Sequence, residues 1–297
     1  MPAIRLFAPA KINLCLHITG RRTDGYHTLQ SLVTFADAGD EIALTPSDSF
    51  TFEIKGPYAG AFTPDEQQAH SQSTNLVVRT ATRAAALFQK PLDFTLTLTK
   101  NLPLGGGIGG GSADSSATLK ALFRHWDITP YPEEYAGFLL SLGADLPVCF
   151  SGTHALVSGI GEHITPIRLP EIPIVLVYPQ KKSPTAAIFQ AFRPPYTAPL
   201  TFPDHFENTE TLTAFLNTAT HNTLTETTSR LIPDIPDILG MLSANPACLL
   251  ARMSGSGSTC FGLFSTPEEA RIAAKRMATK RPNWWIYAGR TGAALGG

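Results

Sequence analysis

Three features that would quickly indicate a protein class are missing from this sequence: a charge excess, a long apolar run and a cluster of cysteines. Its 23 Lys and Arg residues balance 24 Asp and Glu residues, so the chain lacks the basic excess typical of nucleic-acid-binding proteins. Its longest apolar runs, such as 172–177 (IPIVLV), are too short to span a bilayer. We therefore expect a protein that binds neither nucleic acid nor a membrane.

The N-terminal segment and the cysteines indicate the compartment. Lys11 interrupts the first apolar stretch and no small-residue cleavage site follows, which is unlike a signal peptide. The cysteines lie far apart in apolar surroundings and form no Cys-x-x-Cys pair, so we interpret them as reduced core residues and not as a metal site or a disulfide framework. They are Cys15, Cys149, Cys248 and Cys260. We expect a cytoplasmic location.

The first half of the chain alternates strand-like and helical patterns. Alternating or apolar stretches predict strands at 4–7, 12–18, 29–35, 41–45, 51–54 and 93–100. Apolar residues at helical spacing predict helices at 75–88, with Asn75 as its cap, from Ser112 through Trp126, and at 131–142, ending at Gly143. The polar segment 56–73 should be an exposed loop.

After Ser151 the pattern starts again. Strands are predicted at 154–162 and 172–179, a short helix at 185–192, a stiff proline-rich connector at 194–203, and helices at 212–231 and 235–243. The chain then shows a strand, an alanine-rich helix and a last strand. At 297 residues, this pattern favours two α+β halves meeting near residue 155, with one long domain as the alternative.

The most unusual stretch lies between the strand at 93–100 and the following helix. Six of the seven residues from Gly105 to Gly111 are glycine. They satisfy the dinucleotide pattern G-x-G-x-x-G, but the preceding strand alternates apolar residues with Thr instead of being continuously apolar. The acidic residue that should follow would be Asp127, which comes after a helix and not after a strand. A Walker-type phosphate loop also fails, because Gly111-Ser112 stands where Lys-Ser/Thr is required.

We favour a phosphate cradle of another kind over a glycine-rich turn without a ligand. Successive glycine amides can wrap a polyphosphate, and Ser112 begins a helix whose positive end faces the same anion. A side chain at Gly107 or Gly109 is then expected to block the nucleotide while leaving the fold largely intact. The loop contains no lysine, so a cation must come from elsewhere in the chain.

Four segments carry a resemblance to a known family. PLGGGIGGGSA (103–113) resembles the ATP loop P-x-x-x-G-L-G-S-S-A of the GHMP kinase superfamily, and SGSGSTCFGLF (254–264) resembles its C-terminal glycine motif. APAKINLCLHITGRRTDGYHTLQSL (8–32) resembles the N-terminal motif of the branch whose acceptor is a cytidine diphosphate carrying methylerythritol. LGADLPVCF (142–150) resembles the segment that carries the catalytic aspartate of that branch.

This resemblance implies the fold and the reaction. The fold would be α+β, with an N-terminal nucleotide-binding domain over 1–155, a C-terminal ferredoxin-like α/β sandwich domain over 156–297, and the site in the cleft between them. The reaction would be ATP-dependent phosphorylation of the 2-hydroxyl of the cytidylylated methylerythritol, a step of non-mevalonate isoprenoid synthesis. Both substrates are small molecules, and no obligate protein partner is implied.

The resemblance also implies a nucleotide site. Around ATP it places Pro103, Leu104, Gly105, Gly106, Gly107, Ile108, Gly109, Gly110, Gly111, Ser112 and Ala113, with Asn75, Leu76 and Lys100 near the adenine. Mg²⁺ is expected on the nucleotide. Gly110 and Gly111 replace the Ser-Ser pair that commonly helps to hold this ion in the superfamily, so no protein-held metal site is predicted. Asp114 would repel phosphate, and we expect it to point away from the nucleotide.

Asp145 and Lys11 are the candidate catalytic residues. A kinase that acts on an alcohol must remove the proton of the hydroxyl, and a carboxylate such as Asp145 in an apolar setting needs a partner. Lys11, in a strand of apolar and small residues, could keep Asp145 ionised and approach the transferring phosphoryl group. Taken alone, an Asp after Gly-Ala is more typical of a surface turn, and the resemblance reverses this preference in favour of the catalytic interpretation.

For the acceptor, the resemblance implies an aromatic clamp. Tyr26 and Phe189 match the residues that sandwich the cytosine, His27 matches the one that hydrogen-bonds the base, and Asn13 and Thr185 match positions near the sugar. Another GHMP kinase, acting on homoserine or mevalonate, would not need this clamp. A catalytically silent GHMP-fold nucleotide sensor would not need Lys11 and Asp145. A dinucleotide-binding oxidoreductase remains a more distant alternative.

Overall fold

The first half of the chain folds around one long strand. The structure, a computed structural model, describes residues 3–70 and 72–292. Its first sheet contains β1 (Ile4–Asn13), β2 (His17–Arg21), β3 (His27–Pro46), β4 (Thr51–Lys55), β5 (Phe94–Thr99), β6 (Ala155–Gly159) and β7 (His163–Pro166). The 20-residue β3 pairs antiparallel with β1, β2, β5 and β6, so it organises both ends of the sheet. The remaining pairs are β4–β5, which is parallel, and β6–β7, which is antiparallel.

Four α-helices complete the first half as far as the structure describes it. They are α1 (Leu76–Phe88), α2 (Gly110–His125), α3 (Pro132–Leu142) and α4 (Leu146–Ser151), and a short 3₁₀ helix lies at Ala59–Ala61. The apolar faces of α1 and α2 pack against the sheet in a core that includes Phe35, Leu96 and Leu122. Burial of these faces fixes α2 beside β1, and the start of α2 is where the glycine-rich loop ends.

The second half contains a four-stranded antiparallel sheet. Its strands are β8 (Pro173–Tyr178), β9 (Cys248–Met253), β10 (Cys260–Phe264) and β11 (Trp285–Arg290), in the order β11-β8-β10-β9. The helices are α5 (Thr185–Ala191), α6 (Thr209–Ala219), α7 (Thr225–Leu231), α8 (Asp234–Ser243) and α9 (Pro267–Lys280). Within the described residues, no helix has the length and apolarity needed to cross a membrane.

A shared core joins the two halves. Ile12 of β1 and Leu14, just after this strand, lie in one apolar cluster with Leu176 and Phe261 of the second sheet. The glycine-loop residue Ile108 belongs to the same cluster and is 1% exposed. Packing of this kind holds the loop at the junction of the halves with little freedom to move.

The structure confirms most of the predicted elements. The helix capped by Asn75 is present, with the Asn75 side chain accepting a hydrogen bond from Val77 N, and α3 ends at Gly143. At the end of the chain, α9 and β11 confirm the predicted helix and last strand, whereas the single strand predicted at 249–264 is two strands, β9 and β10, joined by the glycine motif.

Several predicted boundaries were wrong, for identifiable reasons. The two strands predicted at 29–35 and 41–45 are one strand, because Asp40 between them is buried and bonded to the amides of Asn101 and Leu102. The helix predicted at 212–231 is divided into α6 and α7, because Asn222 turns the chain and bonds to Leu224 N. The sequence analysis missed α4 and β7.

The proposed boundary at residue 155 coincides with the start of β6. This strand pairs with β3, and β7 pairs with β6, so the first sheet continues to Pro166. The chain then passes to β8, the first strand of the second sheet.

Candidate active site

The glycine-rich loop connects β5 to α2 and is held on three sides by backbone hydrogen bonds. Lys11 N of β1 donates to Ile108 O at 2.9 Å, Thr259 N donates to Gly106 O at 2.9 Å, and Ser183 N donates to Gly105 O at 3.1 Å. Three of its glycines, Gly105, Gly107 and Gly109, have φ values of +74°, +74° and +63°. Side chains are disfavoured in this left-handed region, so the loop needs glycine to follow this path.

The glycines of the loop serve different purposes. A Cβ atom at Gly107 would lie 2.1 Å from Gly257 O, and one at Gly109 would lie 3.0 Å from Lys11 Cβ. By contrast, the nearest atom to a Cβ at Gly111 would be Leu76 Cδ2, 4.0 Å away. The expectation that a side chain at Gly107 leaves the fold intact was therefore wrong. Gly107 is needed for contact between the glycine-rich loop and the C-terminal glycine motif (254–264), which we call the first and second glycine motifs.

A cavity of about 420 Å³ opens beside the loop. Its wall includes every predicted nucleotide residue except one: Asn75, Leu76, Lys100, Pro103, Leu104, Gly105, Gly106, Gly107, Ile108, Gly109, Gly110, Gly111 and Ser112. The exception, Ala113, is fully buried behind the loop. Since the first turn of α2 contains no acidic residue and its cap, Gly109, offers no side chain, the helix presents its amides and positive end to this cavity.

A buried ion triad lies beneath the loop. Lys100 Nζ is 2.6 Å from Asp40 Oδ2 and 2.7 Å from Asp114 Oδ2, and all three side chains are at most 3% exposed. Burial alone would lower the pKa of Lys100, but the carboxylates of Asp114 and Asp40 outweigh it and raise this pKa. Burial, reinforced by the charge of Asp40, raises the pKa of Asp114 well above its ordinary value. Asp114 thus directs its carboxylate to Lys100, although it also lines the cavity.

The predicted pair of Lys11 and Asp145 is brought together at the end of β1. Lys11 Nζ lies 3.0 Å from Asp145 Oδ2 and donates to Asn13 Oδ1 at 2.9 Å. The Lys11 side chain is 4% exposed, whereas that of Asp145, at the start of α4, is 48% exposed. The lysine is therefore a fixed partner, and the carboxylate remains open to a ligand.

The predicted acceptor residues form two groups. Asn13 donates from Nδ2 to Ser31 Oγ at 2.7 Å and from its backbone to Ser254 Oγ at 3.0 Å, which places it between the Lys11–Asp145 pair and the second glycine motif. Thr185 Oγ1 lies 2.8 Å from Ser256 Oγ of the same motif. Both predicted residues therefore contact serines of the second glycine motif.

The second acceptor group is aromatic. The ring of His27 lies 5.8 Å from that of Phe189 and 5.7 Å from that of Phe192, measured between centroids. Burial, assisted by the charge of Arg21, lowers the pKa of His27 and so favours the neutral ring, which can both donate and accept a hydrogen bond. Tyr26 is 64% exposed on the turn before β3.

Two residues that the sequence analysis missed hold the site in place. Asn222 donates from Nδ2 to Met253 O and Gly255 O, both at 2.8 Å, and so fixes the start of the second glycine motif. Asp40 holds the entry of the first loop through two amides. Neither role has a local sequence signal, because the glycine-motif groups that each residue holds lie at least 31 positions away.

Comparison with known proteins identifies what this arrangement resembles. Residues 75–153 match the family model of the GHMP kinase N-terminal domain, and residues 207–283 match that of the GHMP kinase C-terminal domain. A 4-diphosphocytidyl-2-C-methyl-D-erythritol kinase of Cereibacter sphaeroides is 43% identical over 96% of this chain and 98% of its own length. The corresponding kinase of Paramagnetospirillum magneticum is 40% identical with the same coverage.

Solved structures agree with the sequence relatives. A crystal structure of 4-(cytidine 5'-diphospho)-2C-methyl-D-erythritol kinase matches with a TM-score of 0.78 and 30% identity, covering 98% of this chain and 100% of that one. Homoserine kinase from Cytophaga hutchinsonii matches with a TM-score of 0.69 and 17% identity, covering 99% and 96% of the two chains. The second match, at low identity, shows a common fold alone.

Proposed function

The chain belongs to the 4-diphosphocytidyl-2-C-methyl-D-erythritol kinase family, and on this premise we propose that it uses ATP to phosphorylate the 2-hydroxyl of that cytidylylated polyol. Lys11 and Asp145 are the residues proposed to catalyse this transfer. The protein is an ATP-dependent kinase with the GHMP fold, an N-terminal nucleotide-binding domain followed by a ferredoxin-like α/β sandwich domain. The observation that carries the residue assignment is the 3.0 Å contact between Lys11 Nζ and Asp145 Oδ2 beside the glycine loop. We place the domain boundary after Pro166, where the first sheet ends.

The nucleotide is proposed to occupy the cavity beside the glycine loop. Asn75, Leu76 and Lys100 would surround the adenine, and Pro103 to Ala113 would enclose the phosphates. The γ-phosphate would lie near the first amides of α2, where the helix dipole favours an anion. Lys100 contributes little charge there, because its ammonium group already contacts two carboxylates.

Magnesium is proposed to enter with the nucleotide. Mg²⁺ prefers phosphate and water oxygens with one or two protein oxygens, and Ser112 and Asp145 offer such atoms beside the loop. When bound, the ion neutralises charge on the phosphates. Ser112 and Asp145 therefore fit an ion that the nucleotide carries without a dedicated protein cage.

In the proposed reaction, Asp145 accepts the proton of the acceptor's 2-hydroxyl as its oxygen attacks the γ-phosphorus. The bond between the γ-phosphorus and the bridging oxygen breaks, and ADP leaves with the electron pair. Lys11 orients the carboxylate, and its ammonium group offers positive charge to the phosphoryl group in transfer. Asn13 fixes Lys11 from the other side.

We assign the choice of acceptor to the aromatic group formed by Tyr26, His27 and Phe189. We propose that Tyr26 and Phe189 stack on the two faces of the cytosine and that His27 hydrogen-bonds its edge, with Asn13 and Thr185 near the polyol. Small acceptors such as homoserine or mevalonate offer no ring to these residues. Among GHMP acceptors, the cytidylylated polyol therefore suits this site best.

An ADP-release assay across a panel of alcohols tests this function. We expect turnover with the cytidylylated methylerythritol, and at least a hundredfold lower kcat/KM with homoserine, mevalonate or free methylerythritol, because the stacking contribution is then lost (about 1–3 kcal/mol per face). Comparable turnover of homoserine or mevalonate would refute the acceptor assignment. Nucleotide binding without turnover of any alcohol would favour the silent sensor.

A further inference from the structure

Both lysines that the first half of the chain places at the glycine loop are already paired. Lys11 Nζ contacts Asp145, and Lys100 Nζ contacts Asp40 and Asp114. A triphosphate carries several negative charges, whereas amides at a helix terminus supply only partial positive charge. The loop itself therefore lacks a cation that is free to meet the phosphates.

Lys182 lies at this cavity but comes from the second half of the chain. It belongs to the connection between β8 and α5 and lines the cavity together with the glycine loop. Its Cγ would be 2.8 Å from a Cβ atom at Gly105, so the absence of a side chain at Gly105 makes room for the lysine. Within residues 3–70 and 72–292, no carboxylate lies within ion-pair distance of Lys182.

The backbone around Lys182 is fixed against both glycine motifs. Ser183 N donates to Gly105 O at 3.1 Å, and Ser183 Oγ donates to Ser256 O at 2.9 Å. The neighbouring Lys181 has a different environment, because it is 2.5 Å from Asp234 Oδ2. Two adjacent lysines are thus distinguished by position: Lys181 is paired at the surface, and Lys182 faces the cavity with its charge available.

We propose that Lys182 binds the phosphate chain of ATP and supplies from the C-terminal half the cation that the glycine loop lacks. This inference rests on the proposed nucleotide site. An ammonium group on a flexible stem binds phosphate as a point charge, and on an exposed segment this contact is modest and sensitive to salt. Because Thr185 follows three residues later, the same segment would contact both substrates.

Titration calorimetry with adenosine, AMP, ADP and a non-hydrolysable ATP analogue tests the proposal. We expect Lys182→Ala to weaken ADP and the ATP analogue by about three- to tenfold, as for one modest charged contact, and to leave adenosine within twofold of wild type. Lys182→Arg should recover most of the affinity, and Lys181→Ala is the matched control that should stay within twofold. In steady state, Lys182→Ala should raise the KM for ATP and leave kcat nearly unchanged.

Salt provides a second readout. The dissociation constant of wild-type protein for ADP should rise more steeply with ionic strength than that of Lys182→Ala, because the variant has lost one screened interaction. Equal losses for adenosine and ADP, or unchanged affinity for ADP, would overturn the proposal while leaving the nucleotide site in place. Failure of the proposed function would look different, since the wild-type protein itself would then bind no adenine nucleotide.

Discussion

Gly107 and Gly257 meet so closely that a methyl group on Gly107 would lie 2.1 Å from the carbonyl oxygen of Gly257. The two glycine motifs, 150 residues apart in the chain, therefore form one structural unit at the junction of the halves. Thr259 N, which donates to Gly106 O, adds a hydrogen bond to this contact. Glycines in this unit serve either packing or ligand access, and substitutions can separate the two roles.

We predict that Gly111→Val blocks nucleotide binding in a folded protein, whereas Gly107→Val destabilises the fold. A side chain at Gly111 points into the open cavity, but one at Gly107 overlaps backbone atoms and should cost about 1–3 kcal/mol of unfolding free energy or more. Calorimetry with ADP and urea unfolding measure the two effects. Gly137→Val on α3, where a Cβ meets nothing within 4 Å, is the control. Unimpaired ADP binding by a folded Gly111→Val protein would contradict the cradle.

We predict that Lys100→Met lowers the free energy of unfolding by about 3–5 kcal/mol, because it leaves two carboxylates buried without a cation. Removing one of these charges as well, in Lys100→Met/Asp114→Asn, should recover part of the loss. The control is Lys55→Met, since Lys55 pairs with Glu53 at the surface, where such pairs contribute under about 1 kcal/mol. Equal stabilities of the two single variants in urea would show that the triad has no structural role.

We predict that Asp145→Asn lowers kcat by about 10²- to 10⁴-fold, the usual effect of losing a positioned general base. Binding of both substrates should persist, because the Asn side chain keeps the shape and one oxygen. Single-turnover kinetics and calorimetry separate the two effects. Asp48→Asn, on the exposed turn after β3, is the matched control. A variant that retained most of its turnover would mean that the proton leaves by another route.

Stability should depend on pH through His17. Burial, followed by the charges of His221 and Arg252, lowers its pKa to about 4 from 6.5, and its side chain is 1% exposed. A depressed pKa means that protonation favours the unfolded chain, so the stabilisation is complete above pH 6.5 and is lost as the pH falls towards 4. Between pH 7.5 and 5.5, wild-type protein should lose about 1 kcal/mol more than His17→Asn. If urea unfolding showed the same loss of unfolding free energy in wild type and in His17→Asn, His17 would be excluded as the cause of the pH dependence.

Residues within motifs could be predicted from the sequence, whereas their supports could not. Lys11, Asp145 and the glycine loop were identified because each lies in a motif of fixed spacing. Asp40 was not, because its role depends on β3 running unbroken past it and on contact with Lys100, 60 positions away. Because the loop contains no lysine, the sequence predicted that a cation comes from elsewhere in the chain. No local pattern indicates, however, that the connection between β8 and α5 passes Gly105.

The secondary-structure predictions show the same contrast between local and long-range signals. Amphipathic segments with a cap, such as α1 behind Asn75, were predicted correctly because their signals are local. The division between α6 and α7 was missed, because its cause is not local. The helix is interrupted at Asn222, whose side chain bonds to Met253 O of β9 and to Gly255 O of the second glycine motif. Tertiary hydrogen bonds of this kind outweigh helix propensity, which amounts to less than about 1 kcal/mol per residue.

The last prediction concerns the cytosine site. If Tyr26 stacks on the base, Tyr26→Ala should weaken every nucleotide-linked acceptor by roughly ten- to a hundredfold, since stacking contributes about 1–3 kcal/mol per base and does not depend on base identity. Tyr131→Ala is the control, because Tyr131 is also highly exposed but lies at the start of α3. Acceptor KM values for the cytidine and uridine forms are the measurement.

His27→Ala should act differently, because a hydrogen bond at the base edge depends on which base is present. The neutral ring, held beside Phe189 and Phe192, can donate to or accept from that edge, so its loss should narrow the preference for the cytidine over the uridine acceptor. Neither variant should change the KM for ATP, since the proposed ATP site lies at the glycine loop, apart from these residues. If His27→Ala kept the full preference for cytidine, backbone groups and not this side chain would discriminate between the two bases.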